Sequence, residues 1–402
     1  MTATRIRIAT LAAATFAWIV AALILWRTKV PDDLRLPSLD ERAIFGARLV
    51  ERAVRYERFF YVEWWLATGA SLAALIFMVR RGPRIAESLR LGRVNAGIIL
   101  GVVTFTVLWT VSLPFAVVEA WWRRRHGLST ESYVQTLSST WGTLLAQSLL
   151  AFVILAILLL LAKRIGRDWW IAASALLVAL FAALQFLVPF LLTIGTHPLR
   201  DRELVTAIKK LERREHAGKP TVRVEKVSDT TRQANAYSVG YGPSERVVFW
   251  DTLLDGRFND REVRFVAAHE LAHLARDHIP KSIAWFALFV VPILGLTAFV
   301  TERRGGLRNP GTVPLALLVI TVAQLLALPL QNAITRRYEA EADWVALTAT
   351  HDPQGARELF QGFARTSLSD PNPPLWAHVL FDDHPTDLAR IEQAEAFKRL
   401  RR

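Results

Sequence analysis

The chain reads as a mainly α protein: a polytopic membrane bundle of about seven transmembrane helices, with a small α/β insert and a helical C-terminal tail. Three observations predict this class. Apolar residues fill 52% of the 402 positions and mean hydropathy is positive, where length alone would suggest about two or three soluble domains. Seven apolar stretches, roughly 7–26, 59–79, 95–120, 143–162, 169–195, 283–301 and 313–331, each approach the ~20 residues that cross a hydrocarbon core. One polar block, 196–282, alternates helix-like and strand-like periods.

The first apolar stretch follows Arg5 and Arg7, but ALILWRTKV offers no small-x-small cleavage site, so it is read as an anchor and not a signal peptide. Tryptophan pairs at Trp64–Trp65, Trp121–Trp122 and Trp169–Trp170 sit near span ends, as interfacial belts do. Glu63 and Glu119 lie close enough to span boundaries to be interfacial. Between the first two spans, residues 27–58 form a charged loop expected to be helical, and 121–142 form a short polar connector. The organisation expected is therefore a five-span region (1–195), an α/β insert (196–282), a transmembrane hairpin (283–331) and a C-terminal helical region (332–402).

Within the insert, DRELVTAIKKLERRE sets Leu204, Ile208 and Leu211 at helical spacing. TVRVEKV then alternates like a strand, with Val222, Val224 and Val227 assigned to one face. NAYSVGYG and RVVFWDTLL read as two further strands joined around Gly242–Pro243. Asn259 with Glu262 predicts a capping box opening a helix whose apolar stripe is Val263, Ala267, Leu271 and Leu274.

Composition narrows the chemistry. With no cysteine, disulfides and thiolate metal sites are excluded, and any metal site must use His and carboxylates. The net charge is +13, with only eight lysines among the 49 basic residues. The arginines are spread over loops and helix ends beside apolar runs, as headgroup anchors are, with no aromatic-and-basic motif among them, so no nucleic-acid partner is implied.

The insert's last helix carries His269-Glu270-Leu271-Ala272-His273. At 100° per residue the two histidines project about 40° apart, so both imidazoles can face one ion. Glu270 stands beside them, suited to be a general base and not a ligand. Zinc is the natural ion, accepting two imidazoles and a carboxylate while leaving a position open. ITRRYEAEADWVAL (334–347) places Glu339 and Asp343 on one helical face with Glu341 pointing away. Either member of the pair could ligate while the other orients a histidine. Three acids in five residues are usually a solvated helix face, but two spans separate them from His273. That even number returns the chain to the side it left.

HELAHLARDH, TRRYEAEAD and NAYSVGYG together resemble the integral-membrane zinc metalloproteases that include type I CAAX prenyl endopeptidases and bacterial heat-shock membrane proteases. The CAAX branch is the closer likeness, sharing the seven-span plan, the polar turn after the third span (RRRHGLST) and an insert between spans five and six. The resemblance implies a zincin-like insert holding one zinc ion on His269, His273 and Glu339, with Glu270 as base and Asp343 supporting a ligand. DDHPTDLARI resembles the family's His-Pro segment. It implies that His384 stabilises the oxyanion and that Arg390 supports the site or holds a substrate carboxylate. Asn235 would lie on the edge strand that grips an extended substrate. His278 matches another family histidine, but five residues past His273 it falls on a different helical face and is read as structural. Thr335 and Ala272 stand where the family often has Ser and Gly.

The function expected is zinc-assisted endoproteolysis of lipid-anchored or membrane-associated peptides and proteins, by CAAX-like processing or membrane quality control. The different-class alternative is a catalytically silent zinc-binding membrane scaffold, against which an intact Glu270 argues. The resemblance places the insert and tail on the cytoplasmic side, opposite the N-terminus, in what reads as a bacterial cell membrane. Charge alone does not set the orientation, because Arg80, Arg81, Arg84, Arg90 and Arg93 crowd one loop on the opposite side. The substrate and the oligomeric state are not in the sequence.

Overall fold

The computed structural model describes residues 3–401; the side chains of Arg5 and Arg7 lie outside that description. The order is α1 (Ala3–Leu25), α2 (Glu41–Phe45), α3 (Ala47–Ser88), α4 (Arg93–Arg125), α5 (Tyr133–Ile165), α6 (Trp169–Leu192), β1 (Thr196–Pro198), α7 (Arg202–Glu215), β2 (Thr221–Glu225), β3 (Ala236–Val239), β4 (Arg246–Trp250), α8 (Asp260–Ala275), α9 (His278–Glu302), α10 (Val313–Thr350), α11 (Pro353–Ser367), α12 (Leu375–Phe381) and α13 (Asp387–Leu400). The fold is a helical membrane bundle with one small sheet.

Among the described residues, five stretches are long and apolar enough to cross a bilayer: 47–88, 93–125, 148–192, 278–302 and 310–350. Stretch 148–192 takes in the second half of α5 and all of α6, two helices separated by a 3-10 turn at Gly166–Asp168, and the described side chains of α1 add a shorter apolar helix at Thr15–Leu25. Leu149, Leu191, Phe299 and Leu326 are exposed on these helices, the pattern of a surface whose solvent is lipid. Inside the bundle, Leu155, Leu159, Trp169, Leu294 and Val313 form a buried cluster. Gly97 and Gly101 let α4 approach Leu159 and Leu155 of α5, a small-residue seam typical of helix contacts in membranes.

The charged loop is less helical than expected. Residues 27–40 have no helix, α2 is short, and α3 then runs unbroken from Ala47 through the second apolar stretch. Glu119 pairs with Arg123 one turn on at 2.7 Å.

The sheet has order β1-β2-β4-β3, with β2 and β4 parallel and the outer pairs antiparallel, so β3 is an edge. β3 and β4 meet through the expected Gly242–Ser244 turn, where Gly240 (φ 81°) has Ser244 O in the place a Cβ would need. β2 stops at Glu225, earlier than the alternation suggests. The Asp251 carboxylate accepts from the N–H groups of Val227 and Ser228, both at 3.0 Å, and draws the chain out of the sheet.

One hydrophobic core joins the sheet to α8, α11 and α13 and takes in Phe45 and Val50 from the start of the chain; Phe249, Phe265, Leu271, Leu347, Phe360 and Ile391 are among its large, fully buried side chains. Insert and tail thus close around each other. Three connections lie on this side of the bundle. Ser129 and Thr231 form a β-bridge between the connector and the insert. Tyr338 Oη donates to Leu25 O at 2.7 Å, and Arg337 Nε to Trp26 O at 2.6 Å, docking the end of α1 on the polar half of α10.

Candidate metal centre

α8 starts where the sequence places it. Asn259 Oδ1 accepts from the N–H of Arg261 and of Glu262, while Glu262 Oε2 accepts from Asn259 N at 2.6 Å. Its stripe Val263, Ala267, Leu271 and Leu274 is buried, and His269 and His273 meet α10 while Glu270 lines the adjoining cavity.

α10 continues past its apolar part, and its polar end packs against α8. That register brings the carboxylate of Glu339 to the two imidazoles. Glu339 Oε2 lies 3.1 Å from His269 Nε2, Glu339 Oε1 lies 3.4 Å from His273 Nε2, and the two Nε2 atoms are 3.1 Å apart. One donor atom from each of the three residues falls within 4.8 Å of the others.

This donor set fits a tetrahedral cation. Two imidazole nitrogens face each other, and the buried Glu339 Oε2 has no hydrogen-bond partner among the described residues. Bonds of about 2.0–2.1 Å at tetrahedral angles would separate ligand atoms by about 3.3 Å, close to the separations found.

The surrounding residues orient this set. Asp343 Oδ1 lies 2.9 Å from His269 Nδ1, and Arg390 clamps Asp343 in bidentate fashion, Nε to Oδ2 at 2.7 Å and Nη2 to Oδ1 at 2.8 Å. The Arg390 guanidinium also lies 4.2 Å from the Phe360 ring centroid. Burial opposes a charge on His269, but Asp343 and Glu339 outweigh it and push its pKa up to about 10 when no cation competes. Burial likewise works against the Arg390 charge, and Asp343 overcomes it, holding the guanidinium more firmly protonated than usual.

A cavity of about 540 Å³ opens beside the cluster. Glu270 and His384 line it together with Asn235, which stands just before edge strand β3 and not on it, and with Ala236 to Ser238 of that strand. Glu270 forms no ion pair among the described residues. His384 Nε2 stands 3.3 Å from Glu339 Oε2 while its Nδ1 meets Asp383 Oδ1 at 2.7 Å. Burial opposes its charging, yet the Glu339 carboxylate raises its pKa. The far wall is apolar, with Trp285, Phe286 and Phe289 from α9.

Every site residue singled out from sequence thus borders one cavity or its support. Two further residues join them. His278, read as structural on a separate face, has its Nδ1 2.8 Å from His273 Nδ1. Glu341, read as pointing away, is fully buried with Oε2 3.1 Å from His278 Nε2. The facing was miscounted because one helix was assumed to run through both histidines. Asp277 adopts a left-handed conformation (φ 55°) between α8 and α9, which re-aims the next turn.

The model of peptidase family M48 matches residues 198–398. An "Uncharacterized metalloprotease YhfN" of Bacillus subtilis is 31% identical over 250 residues, covering 58% of each chain. A "Protease HtpX homolog" of Methylibium petroleiphilum is 31% identical over 160 residues, 39% of this chain and 56% of that one. The chain therefore spans less than two thirds of the length of these relatives. A "CAAX prenyl protease 1 homolog" of Oryza sativa subsp. japonica is 24% identical over 310 residues, 72% of this chain and 71% of the other. The crystal structure of S. mikatae Ste24p superposes with TM-score 0.77 over 96% of this chain and 97% of its own, at 18% identity, a likeness of fold.

Proposed function

The chain belongs to peptidase family M48, and from that premise we propose that it is a membrane zinc endopeptidase. Its substrates are peptide segments held in or at the bilayer. The observation that carries this reading is the convergence of His269, His273 and Glu339 beside a cavity that Glu270 also lines.

His269, His273 and Glu339 would hold the zinc ion, which when bound would supply Lewis-acid polarisation of the scissile carbonyl and the attacking water. Glu270 accepts the water's proton and returns it to the leaving amine. His384, steadied at Nδ1 by Asp383, donates from Nε2 to the developing oxyanion. Asp343 keeps the His269 ring in one orientation. Both of its oxygens are engaged by Arg390 through Nε and Nη2, which supports the reading of Arg390 as a residue that holds the site together. The extended substrate lies along β3 near Asn235, adding a strand to the edge. That supply comes from the membrane side, where α9 carries the apolar wall of the cavity straight into an apolar stretch. CAAX-like processing and clearance of damaged membrane proteins both fit such a site. A silent scaffold would have no use for a carboxylate placed as Glu270 is.

The test is cleavage of a quenched, lipidated peptide by the purified protein and by Glu270→Gln. The substitution should retain zinc and lower kcat by about 10²–10⁴-fold, the usual contribution of a positioned base. Equal activity in the two proteins would remove Glu270 from the mechanism.

A further inference from the structure

His269 and His273 differ in what holds them. His269 has a carboxylate, Asp343, on its outer nitrogen. His273 instead meets another imidazole, with Nδ1 of His278 at 2.8 Å, and His278 Nε2 meets Glu341 Oε2 at 3.1 Å. We propose that His278 and Glu341 are positioning residues for His273, forming a second orienting chain that also ties the site to the end of the first apolar helix. This rests on the reading of His273 as a metal ligand.

The direction of the hydrogen bonds follows from Glu341. Its carboxylate is fully buried and is surrounded by donors: Lys29 N at 2.8 Å, Arg276 Nε at 2.9 Å and Lys281 Nζ at 3.9 Å, besides His278. A carboxylate among such neighbours only accepts, so His278 Nε2 carries the proton and donates to it. A neutral imidazole then presents its other nitrogen as an acceptor. His278 Nδ1 accepts from His273 Nδ1–H, which leaves the lone pair of His273 on Nε2, the atom facing Glu339 and His269. Glu341 thereby sets the tautomer of a side chain two steps away.

Packing holds the middle member in place. The Tyr338 ring stacks on His278 at 4.6 Å and 11°, and the Tyr338 hydroxyl accepts from Trp285 Nε1 while donating to Leu25 O. With Lys29 N on Glu341, both Tyr338 and Glu341 touch residues 25–29. The end of α1 is thus bound to the two groups that fix His278, which gives that docking a purpose at the site.

The experiment measures zinc affinity of the full-length protein in detergent by chelator competition, and the visible spectrum of its cobalt form. His278→Phe keeps a ring of similar size and removes both hydrogen bonds, and zinc affinity should fall about 10–100-fold, as it does when outer-shell partners are lost, with an altered cobalt spectrum. His278→Gln can still donate to Glu341 and accept from His273, and should restore affinity to within about threefold of wild type. Glu341→Gln leaves His278 in place, sets an amide against a ring of donors and should weaken zinc about tenfold, which serves if the Phe variant does not fold. Wild-type affinity in all three variants overturns the proposal. So does equal weakening by Phe and Gln, since packing alone would then explain it. A wild-type protein that binds no zinc overturns the metal site itself, a separate result from either.

Discussion

Glu215 ends α7 with both carboxylate oxygens buried and without a hydrogen-bond partner among the described residues. Burial pushes its pKa up from 4.5 to about 9. A carboxyl raised in the folded state resists ionisation there while the unfolded chain ionises normally, so it weakens the fold progressively between those two values and not below them. Glu215→Gln should therefore stabilise the protein at pH 8 by roughly 2–4 kcal/mol, since each pKa unit by which folding raises the carboxyl is linked to about 1.4 kcal/mol, and the gain should vanish by about pH 4. Thermal unfolding of both proteins across that range checks this, and a constant difference would mean that charge is not the cause. At this scale the sequence was informative wherever spacing alone decides facing. The i, i+4 relations of His269 with His273 and of Glu339 with Asp343 needed only an unbroken helix, and α8 and α10 supply one. Arg390 was ambiguous because nothing local indicates that Asp343, 47 residues away, occupies it.

α10 is the element on which the site depends most, running from the apolar stretch to the carboxylates as one helix through Pro329. The break after α8 has the opposite effect, turning His278 back onto His273. A helical wheel carried across Asp277 could not find that contact, since Asp in a left-handed conformation leaves only a weak trace in sequence. The end of β2 was hidden for a similar reason: Asp251, from another part of the chain, captures its next two N–H groups. β3 yields the prediction that belongs to elements. If substrate adds to this edge as a strand, a peptide N-methylated at alternate residues should show a KM about tenfold higher, matching the loss of one or two hydrogen bonds. An unchanged KM in steady-state assays would mean that side-chain pockets alone hold the substrate.

At the scale of the whole molecule, sidedness makes the site possible. The end of α1, the connector before α5, the insert and the tail all meet on one side of the bundle. The parity of apolar stretches between His273 and Glu339 anticipated that meeting, and the single apolar run 148–192 is divided between α5 and α6 by the turn at Gly166–Asp168. The α3–α4 turn lies at the opposite ends of its helices from the connector after α4. Because the chain has no cysteine, single cysteines report topology without background. With the insert cytoplasmic, Ser88→Cys should react with an impermeant maleimide on intact bacteria and Asp229→Cys only after lysis. The reverse pattern would put the peptidase site outside the cell.

The proposed peptidase site requires one ion held by His269, His273 and Glu339. Zinc K-edge X-ray absorption on the purified protein, with metal content measured on the same sample, addresses it directly. One zinc per chain is expected, in a shell of only nitrogen and oxygen ligands at about 2.0–2.1 Å with the multiple scattering of two imidazoles. Far less than one zinc per chain, or a shell without imidazole, would contradict the site on which everything else rests.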